Sequence, residues 1–468
     1  MQLFFVTVSQ VVLAVALPYF VVNVFLGARV ARRDGGGLRG QEARALRPDA
    51  APDASGYDVY FLIPCLDEET VVAETVAGLL RDRACTVILI NDGSDDATES
   101  EAARGAATVG AADRLHIVTR TAPDARLGKG AALNAALPVV VEDAHRRGLD
   151  PQRVVVGVMD ADGRLSAHGT HAPLPLFDDP RVGAVQLTVR IRDRRKLIAQ
   201  FQDVEFWMIS AMSQLARSLT GTVSLGGNGQ FTRLSALLDL EGDPWSSSLT
   251  EDLDLGLRLV ARGWRITTTT AAHVDQQAVD TYGRLLRQRT RWYQGHMQCA
   301  SRLPELWRSE ISQLPLIEVT SYLLVPWIIV LPWSILQQWI LLQLVFGSGG
   351  GVFATDLGSW PWQLGYAVLW YMLSFLPNLL IGLTYARRTR AVSLRRALLL
   401  GHLMILWNYI GYAATWRALF RLVRGKTGWD KTTRTAEPGP DLGVVRAQLR
   451  GSRTGLRMPP IVVHAEAA

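Results

Sequence analysis

The first charged residue of this chain is Arg29. The uncharged run from Met1 to Ala28 is mostly apolar and long enough to span a bilayer. A cleaved leader would open on basic residues and end in a small-residue cleavage site. Here Arg29, Arg32 and Arg33 follow the apolar run instead. The positive-inside rule then puts the N-terminus outside and the next domain in the cytoplasm. Residues 1–28 are therefore expected to form an uncleaved transmembrane anchor, and 29–56, rich in Arg, Gly, Ala, Pro and Asp, a linker.

Apolar blocks return only after residue 315, at 316–346, 361–386 and 397–416, the first interrupted by Pro326 and Pro332. Residues 316–416 are expected to cross the membrane, which makes the chain a multi-pass protein of the plasma membrane. Three C-terminal crossings would leave the tail outside. Arg417, Arg421, Arg424, Lys426 and Lys431 instead favour the cytoplasm. Residues 417–468 read as a basic cytoplasmic tail, largely disordered beyond 433. The formal charge of +6 over 468 residues needs no nucleic acid, because Lys and Arg beside membrane spans supply it. Cys65, Cys85 and Cys299 form no paired framework and no CxxC, and read as reduced thiols with no metal role.

Between the apolar ends, short apolar runs alternate with helical stretches. "YDVYFLIP", "TVILIND", "RLHIVTR" and "RVVVGVMDADG" read as strands, each of the first three followed by a helix. This βαβ series predicts an α/β fold with a doubly wound, mostly parallel sheet over 57–280. Ligands of such sheets bind at the carboxyl ends of the strands. There the sequence puts Asp67–Glu69, Asn91-Asp92, Asp160 and Asp162.

Each motif has two readings when taken alone. Asp160 and Asp162 suit Mg²⁺ or Mn²⁺ held by carboxylates and substrate phosphates, or an Asp-Gly turn. Two apart on a straight strand, they would share one face. Asp92 is a carboxylate for a nucleobase, or part of a turn before a helix capped by Ser94 or Asp95. Lys129 sits between two glycines before a helix, a setting that attracts phosphate, although no Walker A loop is present. Thr250, Glu251 and Asp252 start a helix and are explained by capping and dipole chemistry, or Asp252 is a general base. Gln288, Arg291 and Trp292 stand at i, i+3 and i+4 on one helix face. That helix, within an interfacial stretch at 281–315, either lies on lipid or binds a diphosphate through Arg291.

Taken in order, "DGSDD", "DAD" at 160–162, "TED" at 250–252 and "QRTRW" at 288–292 resemble the processive, membrane-embedded family 2 glycosyltransferases. Cellulose, hyaluronan, chitin and poly-N-acetylglucosamine synthases share this signature. The resemblance covers roughly residues 57–300. It implies a GT-A-like domain that polymerises a β-linked polysaccharide from a nucleotide sugar, expected to be UDP-linked, and passes it through the bilayer. By the resemblance, Leu66, Glu68, Asp92, Lys129 and Asp160 contact the nucleotide, and Asp162, with Asp160, binds the metal. Asp252, with Glu251, is catalytic, Gln288 and Arg291 hold the diphosphate, and Trp292 stacks near the acceptor glycan. Asn228 and Gly229 in "SLGGNGQFTR" are expected to line the acceptor. Arg284, Arg287 and Arg289 are expected to face headgroups or solvent. Two features depart from the pattern: Leu66-Asp67 replaces Tyr-Asn, and the acceptor segment lacks the cysteine of cellulose synthases.

Three other readings compete. A non-processive transferase would add one sugar to a lipid or short glycan. A membrane scaffold with a dead transferase domain is opposed by the complete acidic set. Nucleic-acid binding rests on the arginines alone and lacks a recognised module.

Overall fold

The computed structural model describes residues 22–31, 56–346, 360–389, 392–426 and 428. Most of the expected anchor, most of the linker and the tail from residue 429 lie outside these described residues.

Four strands, β1 (Asp58–Cys65), β2 (Cys85–Asn91), β3 (Leu115–Thr119) and β4 (Val154–Val158), run parallel in the order β3-β2-β1-β4. Helices α1 (Val72–Leu80), α2 (Thr98–Thr108) and α3 (Lys129–Arg146) make the crossovers. β1, β2 and β4 are covered on both faces, so their sequences are continuous apolar runs rather than alternating ones. One face packs on α3, with Tyr60, Leu62 and Ile88 against Leu133 and Val140. The other packs on α1 and α2, with Phe61, Ile63 and Leu89 against Val76 and Ala102.

The rest of the sheet departs from the mostly parallel expectation. β7 (Gln230–Arg233) enters antiparallel between β4 and β6 (Val182–Ile191). β8 (Arg265–Gln276) pairs parallel with β6, and the two-residue β5 (Arg164–Leu165) closes the edge antiparallel to β8. The sheet is thus mixed.

Helices α4 (Leu197–Val204) and α5 (Ala211–Arg217) are joined by a π-helical turn, Glu205–Ser210. α6 (Glu251–Ala261) and α7 (Tyr282–Cys299) follow. α8 (Gln313–Val325) continues through a second π turn at Pro326–Val330 into α9 (Leu331–Phe346). α10 (Trp360–Thr389) and α11 (Leu394–Val423) complete the described chain. Two stretches, Gln313–Gln338 and Leu394–Val423, are long and apolar enough to cross a membrane by the described residues alone.

These late helices are fastened to the sheet domain. Glu318 of α8 pairs with Arg217 at 2.8 Å. Asp203 of α4, fully buried, accepts from Ile191 N at 2.8 Å and from the Tyr385 hydroxyl of α10 at 2.6 Å. α11 lies along α7: Leu285 packs with Leu400, Met404 and Trp407, and Met297 packs with Ala418.

Candidate active site

The loops after β1 and β2 lock together by reciprocal bonds. Asp67 N donates to Ser94 Oγ at 2.9 Å, and Asp95 N donates to Asp67 Oδ1 at 2.9 Å. Glu68, 7% exposed, is fixed by its backbone N–H on Thr98 Oγ1 at 2.8 Å. Ser94 and Asp95 are therefore loop staples; α2 begins later, with Ala97 at its cap position. Leu66 is half-buried beside them.

Asp92 follows β2, its N–H on Cys65 O at 2.8 Å. Its carboxylate forms a buried ion pair with Arg120 and also accepts from Arg126 N at 3.1 Å. The motifs give no hint of either arginine, because the spacing carries no periodic signal. Arg120 directly follows β3 and reaches Asp92 only through the parallel pairing of β2 and β3.

β4 ends at Val158, and the chain turns at once: Gly163 N donates to Asp160 O at 2.8 Å. Asp160 and Asp162 are consequently not on one strand face. Asp160 points to α3, where Lys129 Nζ lies 2.7 Å from its Oδ1. Asp162 is buried, and its Oδ2 accepts from Gln277 N at 3.1 Å just past β8. Arg192 ties the turn to β8, donating to Asp162 O at 2.6 Å and to Asp275 O at 3.0 Å.

Lys129 is the hub. Besides Asp160, it donates to Gly227 O at 3.0 Å and lies 3.9 Å from Glu251 Oε1. Gly227 has φ +65, and a Cβ there would fall 2.8 Å from Asp252 Oδ2. The glycine thus permits both the left-handed turn and the approach of the carboxylate. Burial alone would lower the Lys129 pKa, but Asp160, Glu251 and Asp252 outweigh it and raise the pKa above its ordinary value. Burial pushes the Glu251 carboxyl up, with Asp252 adding to the rise and Lys129 and Arg291 opposing it. Burial likewise pushes Asp252 up, against Lys129 and Arg291. A buried and a half-buried carboxyl, both with a raised affinity for protons, beside two cations, are the kind of site that moves protons.

Asn228 and Gly229 are used inside the protein. Asn228 Oδ1 accepts from Asp160 N at 3.3 Å, and its Nδ2 donates to Gln276 Oε1 at 3.1 Å. Gly229 bridges β4 and β6, its N on Val158 O at 3.0 Å and its O on Leu187 N at 2.9 Å. Both are buried where β7 inserts, and Asn228 holds the Asp160 turn. Gly226 of the same segment is exposed.

On α7, Gln288 is buried, and Arg291 and Trp292 are half-buried. The Arg291 charge is near enough to oppose the rise in proton affinity of the Glu251 and Asp252 carboxyls. Gly295 brings α7 against Thr250, whose Oγ1 lies 3.6 Å from Cys299 Sγ and makes no helix cap. Arg289, expected to face headgroups or solvent, is instead paired with Glu205 of the π turn. Its guanidinium covers the Trp292 ring at 4.5 Å, while Phe206 meets that ring edge-on at 6.0 Å. Arg284 pairs with Asp280 at 3.5 Å, and Arg287 is exposed.

The structure therefore brings Lys129, Asp160, Glu251, Asp252 and Arg291 together. Asp92 and Asp162 follow β2 and β4, on either side of β1, each with its own partners. Among the described residues no three His, Cys, Asp or Glu side chains form a metal cluster.

Comparison with known proteins agrees with this architecture. The chain is 31% identical over 254 residues to the beta-monoglucosyldiacylglycerol synthase of Trichormus variabilis, covering 51% of this chain and 49% of that protein. It is 26% identical over 248 residues to the poly-beta-1,6-N-acetyl-D-glucosamine synthase of Staphylococcus aureus, covering 51% and 54%. The chain spans about half the length of the curated relatives it matches. The solved mannosyltransferase PcManGT from Pyrobaculum calidifontis, in complex with GDP-Man and Mn²⁺, superposes with a TM-score of 0.51 at 18% identity, over 86% of this chain and 99% of that one. That likeness supports the mixed GT-A-like α/β fold. The family described as "Glycosyltransferase like family 2" matches residues 56–295, about half of the chain, and the chain belongs to that family.

Proposed function

We propose that this chain transfers a hexose, with inversion, from a nucleotide sugar to an acceptor hydroxyl at the cytoplasmic face of a membrane. The observation that carries the reading is the meeting of Lys129, Asp160, Glu251 and Asp252 beside Arg291 at the carboxyl end of the sheet. Asp252, raised in proton affinity by burial, is the base that takes the acceptor proton. Arg291 and Lys129 meet the charge that develops on the departing diphosphate. Asp92 and the loop of Leu66 and Glu68 hold the nucleoside, for which uridine is the expected base. Gln288 supports Arg291, and Trp292 borders the acceptor. A single displacement at an α-linked donor yields a β-linkage.

A divalent ion fits the site. The Lys129 ammonium on Asp160 marks a position where a cation is favoured. With no third protein ligand among the described residues, Asp160 and Asp162 would hold Mg²⁺ or Mn²⁺ only together with phosphate oxygens and water. When bound, such an ion neutralises charge on the leaving diphosphate. The GDP-Man and Mn²⁺ of the mannosyltransferase support this part of the reading.

Two acceptors are in view. The motif series supports a growing polysaccharide secreted across the bilayer, as in the Staphylococcus relative named for a polymer. The relatives at 31% identity are named for a glucosylated diacylglycerol, which supports a lipid acceptor. Membranes carrying the chain, supplied with labelled UDP-sugars and Mg²⁺ or Mn²⁺, separate them. Label entering a long β-linked glycan supports the first, and label in the organic phase the second. Absence of any transfer from a panel of nucleotide sugars would overturn the transferase reading.

A further inference from the structure

α10 and α11 are attached to the catalytic domain in different ways. α10 is held near its C-terminal end, by Tyr385 on Asp203 and by Arg388 stacked 3.7 Å over Trp207. Upstream, Leu364 and Val368 are exposed. α11 is held at both ends. Near its start, Arg396 Nε donates to Gln200 Oε1 at 2.9 Å. Near its finish, Arg421 Nε donates to Gln294 Oε1 at 2.7 Å, and Gln294 Nε2 donates to Lys426 O at 2.6 Å. Arg396 to Arg421 covers about 38 Å of helix axis. Between those ends α11 packs against α7, the helix that carries Gln288, Arg291 and Trp292.

A helix bonded at both ends to a water-facing domain cannot also carry one end to the far side of a bilayer. α7 cannot follow it into hydrocarbon either, since it holds Arg284, Arg287, Arg289 and Arg291. The faces of α11 agree. Leu400, Met404, Trp407 and Ala418 are buried on one side. Leu398, Leu406, Phe420 and Val423 are exposed, and helical spacing puts them on the opposite side. Basic residues bracket that exposed stripe: Arg395 before it, Arg417 and Arg424 toward its end.

We propose that α11 is a surface helix lying in the cytoplasmic headgroup layer of an anionic membrane, not a crossing, and that α8–α9 and α10 form the pair of crossings among the described helices after the catalytic domain. An apolar stripe with basic residues at its ends fits the boundary between acyl chains and anionic headgroups. The charge distribution follows the same parity. The segment between α9 and α10, residues 347–359, carries a single charge, Asp356. The α10–α11 junction carries Arg387, Arg388, Arg390, Arg395 and Arg396. With two crossings, the junction and the Arg417–Lys426 stretch both fall on the cytoplasmic side. A crossing by α11 would put them on opposite sides.

The test uses the full chain in oriented membrane vesicles. The native cysteines Cys65, Cys85 and Cys299 are buried. Arg395→Cys and Arg424→Cys replace exposed side chains at the two ends of α11. A membrane-impermeant maleimide should label both from the cytoplasmic face; labelling from opposite faces overturns the proposal. Should either thiol stay silent, nitroxides at Leu398→Cys, Leu406→Cys and Phe420→Cys decide by depth. The first and last are about 33 Å apart along the axis. One shared shallow depth is expected, and depths spread across the hydrocarbon core would refute it. Both readouts report topology and not turnover, so their failure leaves the transferase reading standing.

Discussion

Gly295 and Thr250 are in contact across two helices: a Cβ on Gly295 would lie 2.6 Å from Thr250 Oγ1 and Cγ2 and 2.8 Å from its backbone N. The helix bearing Arg291 thus meets the start of the helix bearing Asp252 with no room for a methyl group. Gly295→Ala gains helix propensity but must push the two apart. We expect about a hundredfold loss of transfer, as for a catalytic geometry displaced by about 1 Å, with the fold retained by circular dichroism. Thr250→Ala in the same chain should restore only part of the rate, because the backbone contact remains.

Asp252→Asn keeps the shape and removes the base. Transfer should fall by roughly 10²–10⁴, while nucleotide affinity, measured by calorimetry, stays nearly unchanged. Wild-type turnover in this variant would remove Asp252 from the base role.

The raised proton affinity of Asp252 has a pH signature. The proposed base acts as the carboxylate, so the rate should rise with pH through a midpoint above the ordinary aspartate value of about 3.9. Lys129 opposes that rise in pKa. Lys129→Met should therefore move the limb to higher pH, in addition to lowering the plateau. A shift to lower pH would contradict Lys129 as the cation that restrains the Asp252 carboxyl.

Stability should carry the opposite trend from Glu251. Its folded pKa lies above the unfolded one, so the protonated buried form favours folding. This contribution is complete below the ordinary glutamate value and is lost as pH rises through the raised one. Glu251→Gln should flatten that fall in denaturant titrations across the same range.

Arg120 and Asp92 form a pair in which each side chain is 8% exposed. Arg120→Leu leaves a buried carboxylate without its cation and should cost about 3–5 kcal/mol. Adding Asp92→Asn should recover much of this loss in urea unfolding, and both variants should bind nucleotide more weakly.

The parallel half of the fold is legible because burial on both faces writes itself as runs such as "YFLI" and "VILI". β7 is not, because nothing in "QFTR" tells that it inserts antiparallel between β4 and β6. Asp160 and Asp162 stand out by their spacing, yet their separation onto two partners depends on a turn one residue past the strand. Lys129, Asp252 and Arg291 come from distant segments, and the motifs name them without stating that one ammonium joins two of the carboxylates. Asn228 has the chemistry of an acceptor ligand, and nothing in its motif tells that the amide also bonds Asp160 N and Gln276. The block at 397–416 falls in a helix long and apolar enough to cross a membrane, and apolarity looks the same against lipid and against another helix.

α8 places Leu316, Val319 and Leu323 in the same core as Leu253, Leu259 and Cys299, each of the three nearly inaccessible to solvent. The family match ends at residue 295. The segment that the family model matches and the segment that folds as one core therefore stop at different places. A soluble enzyme made by cutting the chain between α7 and α8 would expose the underside of its own catalytic helix. Severing α8 and the helices after it from the chemistry should yield aggregate rather than a smaller transferase.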